Sequence, residues 1–265
     1  MRITDLNSQP IYALRHLTAV GGGVQEVLLP FLRASVAGLP EHIDALVATA
    51  DLQGRTIDGR LLGVAVAEEL AQLAERGQIP RGDRCGVLLA GDLYSASPPR
   101  RGANGDVRAV WDAFAGWARW VCGVAGNHDL FSDKPNAPAL AAFRRQSGCG
   151  LLDAETIERD GLRIAGLSGI IGRPGRPWRR AEAHFIEAFA GLVAAGPDIL
   201  LCHEGPGRAS REQGGVPLLD ELLVAARREI LCVRGHMFWE EALLAGDGLR
   251  QVLNVDSRVV VLQRN

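Results

Sequence analysis

The sequence predicts a mixed α/β fold in which buried strands alternate with helices. Short apolar runs recur along the chain: Ala45-Leu46-Val47-Ala48, Gly86-Val87-Leu88-Leu89-Ala90, Trp120-Val121-Cys122-Gly123-Val124, Ile199-Leu200-Leu201-Cys202 and Glu229-Ile230-Leu231-Cys232-Val233. Runs of this length, bounded by Gly and polar residues, read as buried strands. Stretches with apolar residues at helical spacing lie between them. Hydrophobic residues make up 47% of the 265, enough for a sizeable core.

In chain order, residues 1–43 precede the first run. Gly21-Gly22-Gly23 marks a turn, and residues 24–37 carry helix-like apolar spacing that Pro30 interrupts. His16 and His42 read here as surface or capping residues. Residues 61–76 place Leu62, Val66, Leu70 and Leu73 on one helical face. The strand ending at Asp92 follows, then a Pro/Arg/Gly-rich loop over 95–105, a helix over 107–118 and the strand ending at Asn127. Residues 137–146 read as a helix stopped by Gly148. Two alternating runs flank Asp160-Gly161, which is a hairpin signal. A Gly/Pro/Arg-rich loop covers 172–180. Residues 179–194 read as a helix that carries His184 as a core residue. A strand to His203, a helix over 217–227 and a strand to Val233 come next. Two more strands, over 249–255 and 258–262, give the chain an antiparallel ending. No internal repeat or long low-complexity linker interrupts residues 1–265, so a single domain is expected.

The formal net charge of −2 gives no support for a nucleic-acid or membrane-binding electrostatic surface. Lys134 is the only lysine. Arg suits phosphate recognition, yet a compositional bias explains its dominance more simply. The cysteines, Cys85, Cys122, Cys149, Cys202 and Cys232, are odd in number and irregularly spaced, which is no disulfide framework. Buried thiols in a reducing compartment fit them better. Strand alternation points Cys202 away from the face that carries His203. Asp5, Asn7 and Gln9 break any secretory pattern, and no apolar run is long enough to span a bilayer. A cytoplasmic protein is expected.

Each apolar run ends in a short polar motif. In order these are Asp51-Leu52-Gln53, Gly91-Asp92, Gly126-Asn127-His128-Asp129, His203 and Gly235-His236. Ligands bind outside the carboxyl ends of strands in open α/β sheets. Alone, an Asp at a strand end is a helix cap or turn residue, and a His beside a strand is a packed core residue. Five such motifs in series, built on Asp, Asn and His, point to a metal centre.

From about Ala45 to the C-terminus the motif order resembles the calcineurin-like metallophosphoesterase superfamily. That signature reads Asp-x-His, Gly-Asp, Gly-Asn-His-Asp/Glu, His and Gly-His-x-His, and Gly126-Asn127-His128-Asp129 is its most specific match. The resemblance implies a four-layer α/β/β/α sandwich, with residues 1–43 as an N-terminal extension. Two residues depart from it. Gln53 stands at the place of the first-motif His, and Phe238 at the place of the last His.

The resemblance also implies a chemistry. Hydrolysis of a phosphate ester must bring a nucleophile to an anionic group and stabilise a poor leaving group, and paired metal ions meet both demands. Asp92 would be shared by two ions. The second ion would take Asn127, His203 and His236. The first would take Asp51, Gln53 and whatever replaces the missing imidazole: Glu240, Glu241 or water. An amide oxygen is a weaker transition-metal ligand than imidazole, so the first site is expected to be weak. One or two divalent ions are implied, Mn²⁺ ahead of Fe, Zn or Mg. His128 would contact the phosphoryl group and assist the leaving group, with Asp129 orienting its ring.

Other residues have structural readings beside functional ones. Arg55, Tyr94 and the arginines Arg173, Arg176, Arg179 and Arg180 could face a phosphate, but exposed Arg usually marks a solvated surface. Trp239 could stack on an aryl group or pack in the core. Gly91-Asp92 continues Leu93-Tyr94-Ser95, without the Asp-Arg-Gly of the phosphoprotein phosphatase branch. A small phosphodiester or nucleotide-type substrate is therefore expected of this hydrolase. The alternative is a non-enzymatic scaffold of the same fold that binds a partner protein. Oligomeric state is open.

Overall fold

The computed structural model describes residues 1–146, 148–208, 213–245 and 249–264. It opens on a long antiparallel hairpin, β1 (Arg2–Val20) and β2 (Gly23–Ala37), which turns at Gly21-Gly22 with Val20 paired to Gly23. Next come β3 (Ala45–Ala50), β4 (Gly54–Arg55), α1 (Leu62–Glu75), β5 (Cys85–Leu89), β6 (Gly105–Asp106), α2 (Arg108–Trp117), β7 (Trp120–Gly123) and β8 (Asp129–Leu130). The middle of the chain holds α3 (Ala137–Arg144), β9 (Cys149–Leu151), β10 (Glu155–Arg159), β11 (Leu162–Leu167), β12 (Ile170–Ile171), β13 (Arg179–Arg180) and α4 (Glu182–Ala194). The last part holds β14 (Ile199–Cys202), α5 (Pro217–Val224), β15 (Ile230–Arg234), β16 (Leu243–Ala245), β17 (Arg250–Asn254) and β18 (Arg258–Arg264).

Two large sheets organise these elements. One has the order β4-β1-β2-β18-β3-β5-β7-β9, the other β10-β11-β14-β15-β17-β16. Side-chain alternation then builds the layers. Val47, Val87, Leu89 and Val121 face outward from the first sheet and pack on Val66 and Leu70 of α1 and Trp111 and Phe114 of α2. Their neighbours Leu46, Ala48, Leu88 and Cys122 face inward and meet Ile164, Ile199, Leu201, Leu231, Val233 and Leu253 of the second sheet. The other face of the second sheet, through Leu200, Cys202, Cys232 and Val252, packs on Phe185 and Phe189 of α4 and Leu219 and Leu223 of α5. The result is the expected α/β/β/α sandwich.

The sequence reading is corrected in several places. Residues 24–37 form a strand, not a helix. Their apolar spacing suits either structure, and pairing with β1 on one side and β18 on the other decides it. Pro30 lies beside a register shift in which β1 has extra residues between Asn7 and Tyr12, an interruption that strands accommodate by bulging. His16 is buried and His184 is exposed, the reverse of their expected placements. The two C-terminal strands do not pair with each other. β17 lies in the second sheet and β18 in the first, so residues 255–257 cross between the sheets. Asp160-Gly161 turns as expected, with both φ values positive and β10 paired antiparallel to β11.

Candidate metal centre

Parallel strands β3, β5 and β7 are neighbours in the first sheet, and parallel β14 and β15 are neighbours in the second. The chain leaves each of them in the same direction. Asp51, Asp92, Asn127, His203 and His236 therefore gather at one end of the sandwich, where the two sheets meet. Asp51, Asp92 and His236 have left-handed backbones, with φ of 54°, 55° and 72°. Such strain in non-glycine residues concentrates at functional sites.

The glycines of the motifs are required by close approach. A β-carbon on Gly126 would lie 2.0 Å from Asp92 Oδ1, and one on Gly235 would lie 2.4 Å from Asp51 Oδ2. Both of these glycines make room for another motif's carboxylate.

Asp92, His203 and His236 each bring a donor atom into one cluster whose atoms all lie within 4.8 Å of one another. His203 Nδ1 lies 2.8 Å from the Ala90 carbonyl, which can only accept, so Nδ1 carries the proton. Nε2 is then turned to the cluster, 3.3 Å from Asp92 Oδ2, buried and without a hydrogen-bond partner. Asn127 Oδ1 is likewise buried and unpartnered. Buried acceptors are seldom left unsatisfied. Asn127 Oδ1, and His203 Nε2 once it gives up its proton, are atoms that a divalent cation fits.

The His203 ring and the Asp92 carboxylate balance each other's charge, and a cation at Nε2 would displace the ring's second proton. Burial opposes the charge of Asp92, but the neighbouring His203 and His128 groups outweigh it and hold the carboxyl below its usual range. Burial likewise opposes the charge of His203, and the Asp92 carboxylate overcomes it and pushes the ring up to about 10. Burial and the positive His203 push His236 down to about 4, so its imidazole is neutral at pH 7 and keeps a lone pair.

Asp51 and Gln53 lie at the edge of this group. Asp51 Oδ2 accepts from the His236 amide at 2.8 Å. Burial, and then the charge of Asp256, push its carboxyl well above the ordinary range. Gln53 Nε2 donates to Asp92 Oδ2 at 2.9 Å. Phe238 is 60% exposed, beneath the Arg258 guanidinium, which lies 4.6 Å from the ring centroid. Glu240 and Glu241 are also exposed and line a surface groove with Leu28 and Phe238. Neither glutamate fills the place of the missing imidazole.

His128 lies over Asp92, its Nε2 3.9 Å from Oδ2, with Nδ1 buried and unpartnered. The expected orienting role of Asp129 is corrected. Its carboxylate accepts from three backbone amides, Leu93 at 2.7 Å, Gly126 at 2.8 Å and Asp92 at 2.9 Å, and holds two motif loops together. Burial and the nearby Asp92 charge push it up to about 7.

Arg55 is a loop clamp, bonded to the carbonyls of Ser95, Ala96 and Gly59. Arg180 binds Asp153 and the Ser168 carbonyl. Trp239 is core, donating to the Gly214 carbonyl with Arg234 over its ring. Cys202 packs among the helices, as alternation requires, 3.6 Å from the Cys232 sulfur. Sequence reasoning missed Asp256. It follows the apolar residues Val252, Leu253 and Val255, the same signal as the other motifs, and burial raises its carboxyl.

No protein-family model and no curated protein matches the sequence. Solved structures do resemble it. One aligns over 86% of this chain and 100% of its own, at 9% identity and a TM-score of 0.56. TT1561 of Thermus thermophilus aligns over 80% of this chain and 88% of its own, at 15% identity and a TM-score of 0.49. The sulfate thiohydrolase SoxB of Thermus thermophilus, in complex with glycerol, aligns over 86% of this chain and 58% of its own, at 16% identity and a TM-score of 0.45. At these identities the likeness concerns the fold. The first of these structures, at a TM-score of 0.56, shares the overall α/β architecture of this chain. In this α/β/β/α sandwich the candidate cluster sits where both sheets end. Among the described residues no helix is long and apolar enough to cross a membrane.

Proposed function

We propose that the protein is a metal-dependent hydrolase of phosphate esters, acting on a small phosphodiester or nucleotide-type substrate. The observation that carries the reading is the cluster of Asp92, His203 and His236, whose ligand atoms all lie within 4.8 Å of one another, in a site where Asn127 Oδ1 is also buried and unpartnered. Asp92, Asn127, His203 and His236 would hold the tighter ion, and Asp51, Gln53 and Asp92 a weaker one. When bound, a divalent ion supplies Lewis acidity and positive charge to the phosphoryl oxygens and the attacking water. Mn²⁺ suits this mixed oxygen and imidazole set, and Fe, Zn or Mg are further candidates.

The chain's own groups do the rest. His128 faces the cluster with a free ring nitrogen and donates a proton to the leaving oxygen. Asp129 fixes the loops that carry Asp92 and Asn127. A cavity of about 210 Å³, bounded by Thr18, Gln53, Tyr94, Arg100 and Arg101, adjoins the centre and suits the ester's anionic remainder.

The scaffold alternative has one observation in its favour. The Gln53 amide occupies an oxygen of Asp92 that a first ion would need. The two readings separate by elemental analysis of the purified protein, joined to hydrolysis of aryl phosphomonoester and phosphodiester with Mn²⁺ added. Enzyme activity should vanish with a chelator and return with Mn²⁺. Full turnover after metal stripping, or bound metal with no turnover of any phosphoester, would remove the proposed function.

A further inference from the structure

The N-terminal hairpin reaches the candidate centre near its tip. Leu17 and Thr18 of β1 pair with Arg55 and Gly54, and the Thr18 hydroxyl donates to the Gln53 carbonyl at 3.1 Å. The loop over 95–105 is fastened to the same place. Arg55 holds its start through the carbonyls of Ser95 and Ala96. At its end the Asn104 side-chain amide donates to the Asn127 carbonyl at 2.9 Å, and the Gly105 amide to the His128 carbonyl at 3.2 Å. Hairpin and loop together bound the cavity of about 210 Å³, which Thr18, Ala19, Gln53, Tyr94, Arg100 and Arg101 line. That volume is below the roughly 300–1,000 Å³ of sites that take a whole small molecule, so it suits one group of a larger ligand. None of Asp92, Asn127, His203 and His236 lines it. Gln53 joins the two, lining the cavity and donating to Asp92 Oδ2. A group held in the cavity is therefore a different group from the one held at the cluster. The lining has two guanidinium groups and no carboxylate. Other exposed arginines pair with acids, Arg60 with Asp58, Arg81 with Asp83 and Arg108 with Asp106. Among the described residues Arg100 and Arg101 have no hydrogen-bond or acidic partner.

We propose that this cavity is a subsite for a second phosphate of the substrate, separate from the one that is hydrolysed. The proposal rests on the phosphoesterase reading above and narrows its substrate to phosphodiesters that carry a further phosphate. A planar guanidinium binds phosphate oxygens two at a time, and two such groups on adjacent residues match a group of two negative charges. The bonds of Arg55, Asn104 and Gly105 hold the arginine-bearing loop at both ends, so less ordering is left to binding. The N-terminal hairpin gains a role as the second wall of the subsite, through Thr18 and Ala19.

The test compares two chromogenic diesters, thymidine 5′-(p-nitrophenyl phosphate) with and without a 3′-phosphate, on the full-length protein supplied with Mn²⁺. The wild type should show a kcat/KM about tenfold or more higher for the 3′-phosphorylated ester, mainly through a lower KM. In the double variant Arg100→Gln, Arg101→Gln that preference should disappear. Ala19→Glu keeps both guanidinium groups but sets a negative charge on the hairpin wall, and should abolish the preference too. Melting temperatures check that both variants fold. A wild type without the preference, or a preference that survives either variant, would overturn the proposal and leave the hydrolase reading standing. No turnover of either diester would also overturn it. No turnover of any phosphoester would remove the hydrolase reading as well, so the two failures are distinguishable.

Discussion

The side-chain amide of Gln53 donates to the Asp92 carboxylate across 2.9 Å. For Gln53 to offer its carbonyl oxygen to an ion, the amide must turn over and give up this bond. The residue that replaces the usual imidazole is thus both a poorer ligand and one already engaged.

Gln53→His should relieve both effects. The looser Mn²⁺ ion should bind about tenfold more tightly, equivalent to about 1.4 kcal/mol. Phe238→His alone should add nothing, because position 238 faces solvent under Arg258. Calorimetry on the two single variants checks this. An affinity gain from Phe238→His would show that the 236–238 turn is placed differently.

His128 and Asn127 should separate on metal content. Asn127→Ala removes an unpartnered buried donor and should lose both metal and turnover. His128→Ala should keep its metal and lose about 10²–10⁴ in kcat. Metal analysis beside single-turnover kinetics decides, and loss of metal in step with rate in His128→Ala would reassign that residue as a ligand.

Asp129→Ala should act through stability. It leaves three buried amides, those of Asp92, Leu93 and Gly126, without their acceptor. Each orphaned donor costs about 1–3 kcal/mol, so the variant should melt lower by roughly 6 °C or more at about 2–4 °C per kcal/mol. An unchanged melting temperature with activity abolished would return Asp129 to a direct catalytic role.

His16 should make the N-terminal hairpin sensitive to acid. Burial holds its ring below the ordinary value of 6.5, and its Nδ1 has no partner. A β-carbon on Gly54 would lie 2.3 Å from that nitrogen, so the site has little room for water. Because the folded value is depressed, the folded state takes up fewer protons than the unfolded one. The contribution is therefore full above about pH 6.5 and is lost as pH falls through the lower folded value. Melting temperatures at pH 8 and pH 5 should differ less in His16→Gln than in the wild type. An equal difference in both proteins would exclude His16 as a cause.

Much of the fold was legible because its signals are local. Buried strands read as apolar runs, α1 as a 3.6-residue period, and the 160–161 hairpin as Asp-Gly. The five motifs at strand ends marked the candidate site because parallel strands necessarily deliver their carboxyl ends to one edge. Pairing across the sheet was not legible. Residues 24–37 have spacing that suits helix or strand, and only β1 and β18, one at each end of the chain, select the strand. The role of Asp129 depended on which loops its carboxylate could reach, and adjacency to His128 in sequence misled on that point. Asp256 was hidden for the same reason. Its signal is one ordinary Asp after a strand, and its charge reaches Asp51, 205 positions away, only because the chain crosses between sheets there. Local periodicity is written in neighbouring residues. Which distant carboxylates share a site is decided by the packing of two sheets.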